Sequence, residues 1–216
     1  MQGMKGVSFD TLHSYRDFSL YLSKKTIESP KPKTETQEVP GADVELDFTE
    51  FFGDVKFENR TLKFEFSTLV PQSEFSTLFS KIQNALNGRK MKIVLDEDAG
   101  FYYVGRISVK EWQADGVIGK VSIECDCEPY KYKQDKTVKT VSVAGTQVVQ
   151  LSNLRQHVVP KFNTTAAIQI VFNGGTYSVS TTGDFTIPDL VLKEGDNQIT
   201  LKGTATVRIE YQEGSL

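Results

Sequence analysis

Residues 39–66 read V-P-G-A-D-V-E-L-D-F-T-E-F-F-G-D-V-K-F-E-N-R-T-L-K-F-E-F, and the second half of this stretch decides the fold. From residue 61 to residue 66 polar and apolar side chains alternate strictly, which is the pattern of a strand with one buried face. The first half opens on the turn signal Pro40-Gly41 and continues as an acidic run, interleaved with apolar residues, that ends at Gly53. Taken alone, this half is typical of a hairpin loop that enters a sheet.

A polar segment guarded by prolines precedes this stretch. Ser29-Pro30-Lys31-Pro32-Lys33 is too rich in proline for a central strand, and residues 34–38 are polar throughout. The segment is therefore an extended arm or a sheet edge. Two alternatives stay open: a solvated hairpin, or an element that reaches a neighbouring molecule.

A single stretch of the chain has the period of a helix. Its apolar residues follow the spacing of one helical face: Phe75, Leu78, Phe79, Ile82 and Leu86. We predict a core-facing helix here, with Ser73 as its N-cap and Gly88 in the left-handed conformation beyond its end.

The rest of the first 130 residues has the pattern of strands. Residues 6–9 and 18–26 indicate two strands separated by a polar turn at residues 13–17, and residues 101–112 and 117–127 indicate two more. The last of these places Val117, Cys125 and Cys127 on one apolar face. Two cysteines so close in sequence are poorly placed to form a disulfide, so we expect two reduced, buried thiols, as in a protein that folds in cytoplasm.

The second part of the chain has no helical pattern. A charged linker is expected at residues 131–139, followed by seven short strands that read as a β-sandwich: 138–143, 147–151, 167–172, 176–180, 190–192, 197–201 and 205–212. Glycine-containing turns are expected between strands, at residues 173–175, 183–184, 194–196 and 202–203.

Composition and motifs exclude several classes of function. The formal net charge is −3, from 25 basic and 28 acidic residues, which argues against nucleic acid as a specific partner. No apolar run reaches the roughly 18 residues that a membrane span needs. The common hydrolase, zinc-protease and dinucleotide-binding motifs are missing, and His13 and His157 stand alone. We predict no catalytic residues, no metal and no cofactor, although two carboxylates would suffice for a hydrolase of cell-wall polymers.

Several motifs, in the same order along the chain, resemble the distal tail proteins of siphophages and their prophages. They are P-G-x-D at residues 40–43, L-D-F-T-E at 46–50, F-E-N-R-T-x-x-F-x-F at 57–66, C-x-P-Y at 127–130, and G-x-N-x-I-x-L-x-G followed by V-x-I-x-Y at 195–211. The resemblance implies a mostly β (α+β) fold. Residues 1–133 would be a β-sandwich-like, ring-forming tail-hub domain with one α-helix and an extended arm, and residues 134–216 a galectin-like β-sandwich.

A closed ring needs an element of one subunit that meets a different surface of the next. The arm and the acidic run that follows it are the candidates for this element. The candidate subunit-interface residues are Pro30, Pro32, Val39, Pro40, Gly41, Asp43, Glu45, Asp47 and Phe48.

The function implied by the resemblance is structural. The chain would form a six-fold homo-oligomeric hub ring that joins the tail tube protein to tail-tip or tail-associated proteins, with receptor-binding protein as a further candidate partner, and that leaves a channel for DNA. It would assemble in the bacterial host cytoplasm and lie at the virion tail tip. The alternative is a carbohydrate-binding adhesion module for host cell-wall glycans, with Tyr177 and Phe185 as the candidate contacts.

Overall fold

The computed structural model describes residues 5–51, 53–115 and 117–216, which divide into two compact units after Pro129. Both units consist mainly of antiparallel strands, and the mostly β (α+β) fold class expected from the sequence is confirmed. Unit 1 contains, in chain order, β1 (Val7–Phe9), β2 (Leu12–His13), α1 (Ser14–Phe18), β3 (Tyr21–Ile27), β4 (Thr36–Gln37), β5 (Leu46–Asp47), β6 (Arg60–Thr68), α2 (Phe75–Leu86), β7 (Lys90–Leu95), β8 (Phe101–Asp115) and β9 (Ile118–Cys127).

Seven strands of unit 1 form one antiparallel sheet, in the order β2-β1-β7-β8-β9-β6-β3. The alternation predicted for residues 61–66 is confirmed in β6, where Leu62, Phe64 and Phe66 are at most 1% exposed. Phe64 also meets Phe9 edge to face, with ring centroids 6.3 Å apart, although three strands separate β6 from β1 in the sheet. The sheet therefore curls over its own core, which gives the unit its sandwich-like form.

Helix α2 covers the inner face of this sheet, as its apolar stripe predicts. Phe75, Ile82 and Leu86 are buried, and the ring of Phe79 stacks on Trp112 of β8 with centroids 5.5 Å apart. Gly88 has a φ of +77°, the left-handed conformation expected beyond the helix end. The Ser73 cap is wrong: a 3₁₀ turn, Gln72–Glu74, leads into the helix, and no side chain caps it.

A short helix, α1, replaces the polar turn expected at residues 13–17 and the start of the strand expected at residue 18. His13 begins it, because Nδ1 of its buried imidazole accepts hydrogen bonds from the backbone amides of Tyr15 and Arg16. An imidazole is not among the usual cap side chains, so no start signal of the usual kind marks this helix.

The two cysteines lie in β9 and are fully buried, as expected. Burial raises the pKa of the Cys127 thiol to about 12, and burial is also the main cause that raises the pKa of Cys125. A Cβ at Gly105 of β8 would lie 2.4 Å from Sγ of Cys127, so only glycine fits there. Val117, expected on this apolar face, is instead 79% exposed, because it precedes β9 at the end of the β8–β9 hairpin.

Unit 2 contains, in chain order, β10 (Lys131–Lys133), β11 (Thr137–Asn153), β12 (Lys161–Thr164), β13 (Ile168–Phe172), β14 (Gly175–Val179), β15 (Gly183–Thr186), β16 (Gly195–Tyr211) and β17 (Gly214–Ser215). The sheet order is β14-β13-β16-β12-β15, and β11 pairs with the whole length of β16. The first half of β16 pairs with β13 and its second half with β12.

Gly145 and Gly203 lie at the midpoints of β11 and β16 and pair with each other. Their φ angles are +88° and +139°, which strain any residue with a Cβ, so both strands change direction here without losing their pairing. Side chains from both halves of β16, including Leu201 and Val207, belong to one core. The two long strands thus wrap around one core, in the part of the chain where the sequence pattern predicts a β-sandwich.

Five expectations for unit 2 are wrong in detail. The turn predicted at residues 202–203 is the middle of β16, so the strands predicted on either side of it form one strand. The strands predicted at 138–143 and 147–151 likewise form one strand, β11. Residues 183–184 begin β15, and Gly195 of another predicted turn begins β16. Leu192 makes only an isolated bridge with Val158, and much of the expected linker at 131–139 is strand. The turn at Asn173-Gly174 is confirmed, with both φ angles positive.

Replacing Gly105 by alanine tests the close packing of β8 on β9. The added methyl group collides with Cys127, and we expect a loss of about 2 kcal/mol in the free energy of unfolding. Gly100→Ala is the matched control, because a Cβ there meets no heavy atom within 4 Å. Urea unfolding of both variants measures the difference, and equal stabilities would contradict the packing described.

The buried thiols predict an alkaline loss of stability. Above pH 9 the unfolded chain releases the thiol protons while the folded chain keeps them, so the free energy of unfolding falls as pH rises, on the order of 1 kcal/mol per thiol and pH unit. Urea unfolding at pH 8 and pH 10 measures this fall. A variant with Cys125→Ala and Cys127→Ala should lose this part of the pH dependence; an unchanged dependence would show that the thiols do not cause it.

Candidate subunit interface

The candidate site is the arm between β3 and β6, defined here as residues 29–59 without Phe52, which lies outside the described residues. Its base is held by backbone hydrogen bonds, from the Lys33 amide to the Lys56 carbonyl and from the Glu58 amide to the Lys31 carbonyl, each 2.8 Å long. Pro32 bridges Phe57 between these bonds. The two prolines thus lie at the entry of a long hairpin, as the sequence indicates for an arm.

The two sides of the hairpin pair only briefly. Strands β4 and β5 join Thr36 to Asp47 and Gln37 to Leu46, and the Phe48 amide donates to the Glu35 carbonyl over 2.7 Å. These two strands form a sheet of their own within the described residues. Each therefore has one edge without a partner strand.

The tip of the arm is a β-turn over residues 39–42. The Ala42 amide donates to the Val39 carbonyl over 3.0 Å, and Gly41 has a φ of +83°, the geometry of a type II turn with proline at its second position. The turn expected at Pro40-Gly41 is therefore confirmed. It turns the chain back, so that the acidic run lies beside the polar segment of the arm.

Exposure sets the arm apart from the rest of unit 1. Residues 31–47 are all exposed, including Val44 at 78% and Leu46 at 51%, and Phe51 further along is 72% exposed. Phe48 is half-buried and meets the ring of Phe51 edge to face. A hairpin whose apolar side chains face solvent contributes little to the core, and its apolar residues are typical of a protein–protein contact.

The charged side chains of the arm are mostly acidic. Residues 34–55 contain seven acids and no lysine or arginine: Glu35, Glu38, Asp43, Glu45, Asp47, Glu50 and Asp54. The remainder of the chain has 25 basic and 21 acidic residues. Hydrogen bonds from the side chain and backbone of Thr49 hold the pKa of Asp47 below its usual value, so this carboxylate stays charged in mild acid.

The structure places all nine residues of the predicted interface on this one hairpin: Pro30 and Pro32 at its base, Val39, Pro40 and Gly41 at its tip, and Asp43, Glu45, Asp47 and Phe48 on its second side. Sequence reasoning missed Val44, Leu46 and Phe51, the most exposed apolar residues of the arm. The signal was present, because Val44 and Leu46 alternate with the acids.

The two candidate glycan contacts lie on different strands. Tyr177 lies in β14 and Phe185 in β15, the opposite edge strands of the sheet order. Both are half-buried against the core of unit 2, and one face of the Phe185 ring stacks on Phe162 with centroids 5.4 Å apart. Glycan binding by these residues stays a prediction.

The described residues hold no group of three or more histidine, cysteine or acidic side chains that could bind a metal ion. Within the same described part of the chain, no helix is both long and apolar enough to span a membrane.

Comparison with known proteins finds likeness at the level of fold. No protein-family model matches the sequence, and no curated protein sequence matches it. Among solved structures, the chain is similar to the crystal structure of SPP1 Dit (gp 19.1), described as a paradigm of hub adsorption apparatus in Gram-positive infecting phages. The TM-score is 0.68 at 11% sequence identity, and the match covers 96% of this chain and 98% of that one. The resemblance to distal tail proteins drawn from sequence motifs is thus confirmed in the fold.

The exposure of the arm predicts where proteases cut first. Endoproteinase Glu-C should cleave within residues 34–55 before it cleaves any glutamate in the paired strands, because the exposed arm can open locally at little cost. Trypsin is the control. It has no cleavage site between Lys33 and Lys56, so it should not cut within residues 34–55. Mass spectrometry of early fragments reads the result, and first cuts within β6 or β9 would contradict it.

Proposed function

We propose that this protein is a structural component of a phage tail: a hub whose copies close into a six-fold ring between the tail tube and the tail tip, with an open central channel. The fold supports a tail role, because one solved structure that it resembles is described as a paradigm of the hub adsorption apparatus of phages. The observation that supports a ring is the arm of unit 1, which is exposed, acidic and partly apolar.

The arm suits a heterologous contact between copies. In a closed ring, an element of each subunit must meet a different surface of the next subunit. Residues 34–55 of the arm, with seven acids and no base, would repel the same residues of an identical arm, while the rest of the chain has a basic excess that would attract them. The charge distribution therefore favours contact between the arm and another surface over contact between two arms.

The proposed channel is consistent with the charge of the chain. DNA passing through a ring binds its wall more tightly with every phosphate that a lysine or arginine neutralises. The chain as a whole has a net charge of −3, so it has no overall basic excess to bind the phosphates. The proposed partners are the tail tube protein on one side of the ring and tail-tip or tail-associated proteins on the other, with receptor-binding protein as a further candidate. No catalytic role is proposed, and the site of action is the virion tail tip after assembly in the host cytoplasm.

Removing the arm tests this function. We replace residues 34–55 by Asn-Gly, because Lys33 and Lys56 are already hydrogen bonded and a two-residue turn can join them. The variant should keep its circular dichroism spectrum and cooperative unfolding but elute as a monomer. Light scattering of the two purified proteins measures the masses.

The control changes the length of a different exposed turn and leaves the arm intact. Inserting Gly-Ser after Asp98, in the exposed turn between β7 and β8, should leave assembly unchanged. A folded arm-deleted protein that still forms rings would overturn the role proposed for the arm.

A further inference from the structure

The sequence contains two Asn-Gly steps, Asn87-Gly88 and Asn173-Gly174. An asparagine followed by glycine is chemically labile in water, because the glycine amide nitrogen can attack the side-chain carbonyl carbon of the asparagine and no side chain on the glycine hinders it. The backbone must first bring the two groups together, so the local structure decides whether a given step reacts. Both asparagines are exposed, and exposure therefore does not distinguish them.

Hydrogen bonds to β8 hold both residues of the first step. The side-chain Oδ1 of Asn87 accepts from the Val109 amide over 3.0 Å, and the Gly88 amide donates to the Ile107 carbonyl over 2.8 Å. The attacking nitrogen and the attacked amide group are therefore both engaged. Reaction at Asn87 would have to break the two bonds and detach the residues after α2 from β8.

The second step forms the tip of the β13–β14 hairpin. Phe172 pairs with Gly175, so Asn173 and Gly174 are the two residues of the turn, and their φ angles of +46° and +81° are those of a type I′ turn. Within the described residues, neither the Asn173 side chain nor the Gly174 amide has a hydrogen-bond partner. No hydrogen bond of these two groups has to break before the step reacts.

The hairpin around the second step can also deform. Strand β14 is an edge strand that pairs only with β13 among the described residues, and Thr176 and Ser178 on it are exposed. Hairpin tips and sheet edges of this kind open locally at a small cost in free energy. The turn at residues 173–174 can thus reach the reactive geometry more often than residues 87–88 can.

We propose that Asn173 is a site of spontaneous modification, at which water converts the asparagine to aspartate or isoaspartate with release of ammonia. The Gly174 amide nitrogen gives up its proton and attacks Cγ of Asn173. A nitrogen–carbon bond forms, the bond from Cγ to the side-chain nitrogen breaks, and that nitrogen leaves as ammonia. Water then opens the resulting cyclic imide at either carbonyl carbon. Water is the one co-reactant, and no oxidant or reductant takes part.

The two products differ in their effect on the hairpin. Aspartate is accepted at this position of a type I′ turn and adds one negative charge. Isoaspartate lengthens the backbone by one carbon, so the turn no longer matches Phe172 with Gly175, and β14 loses its register on β13. Tyr177 of β14 packs on the core of unit 2, and we expect the isoaspartate form to expose it. The inference concerns unit 2 alone and does not depend on the role proposed for the arm.

Ageing of the purified full-length protein tests the proposal. The folded protein is kept at pH 9, where loss of the amide proton is favoured, and samples taken over time are digested with pepsin in acid and analysed by mass spectrometry. Asn173 should deamidate at least about tenfold faster than Asn87, since each hydrogen bond that must break adds to the barrier. Equal rates at the two sites, or a faster rate at Asn87, would overturn the proposal.

The same measurement in urea separates the effect of structure from that of sequence. In the unfolded chain neither step is held by β8, so the two rates should become similar. If Asn173 keeps its full advantage in urea, the neighbouring residues and not the fold cause it, and the structural argument is overturned.

Asn173→Gly removes the reactive group and leaves Gly-Gly, a sequence that type I′ turns favour. On isoelectric focusing the unchanged protein should develop a more acidic form with time, and the variant should develop it much more slowly. Chymotrypsin should cut after Tyr177 faster in aged than in fresh protein, and ageing should not have this effect on the variant. A variant that becomes acidic as fast as the unchanged protein would show that the modification lies elsewhere.

Discussion

Backbone hydrogen bonding is the constraint on which the rest of this structure depends. In a chain made mostly of strands, every strand edge must be paired, covered or left to another molecule. Unit 1 satisfies the constraint by curling seven strands over one core, and unit 2 by bending two paired 17-residue strands around another. Strands β4 and β5 of the arm pair only with each other among the described residues, and the arm is the element proposed to contact a neighbouring copy.

The parts of the fold that depend on local periodicity were predictable from the sequence. The alternation in β6 and the helical stripe of α2 each encode which face is buried, and both are found as expected. The bend at Gly145 and Gly203 was not predictable, because a glycine in a β-prone run signals a turn. Whether strand pairing continues through such a glycine depends on a partner glycine that is far away in the sequence.

The candidate site was predictable in part. The turn at Pro40-Gly41 and the acids beside it are local signals, and the structure puts them on one hairpin. The alternation of Val44 with acids was a signal of its exposure, but the exposure of Phe51 was not predictable, because apolar residues in a β-prone stretch are normally assigned to a core. Only the brief pairing of β4 with β5, and the absence of a described strand beyond it, shows that these side chains face solvent.

The central claim is that the arm joins copies of this chain into a closed ring. Negative-stain imaging of the purified protein at micromolar concentration tests it most directly, because class averages report both the number of copies and an open centre. The account predicts six-fold rings with a central hole. A field of single chains, or of two-fold dimers with no hole, would contradict it.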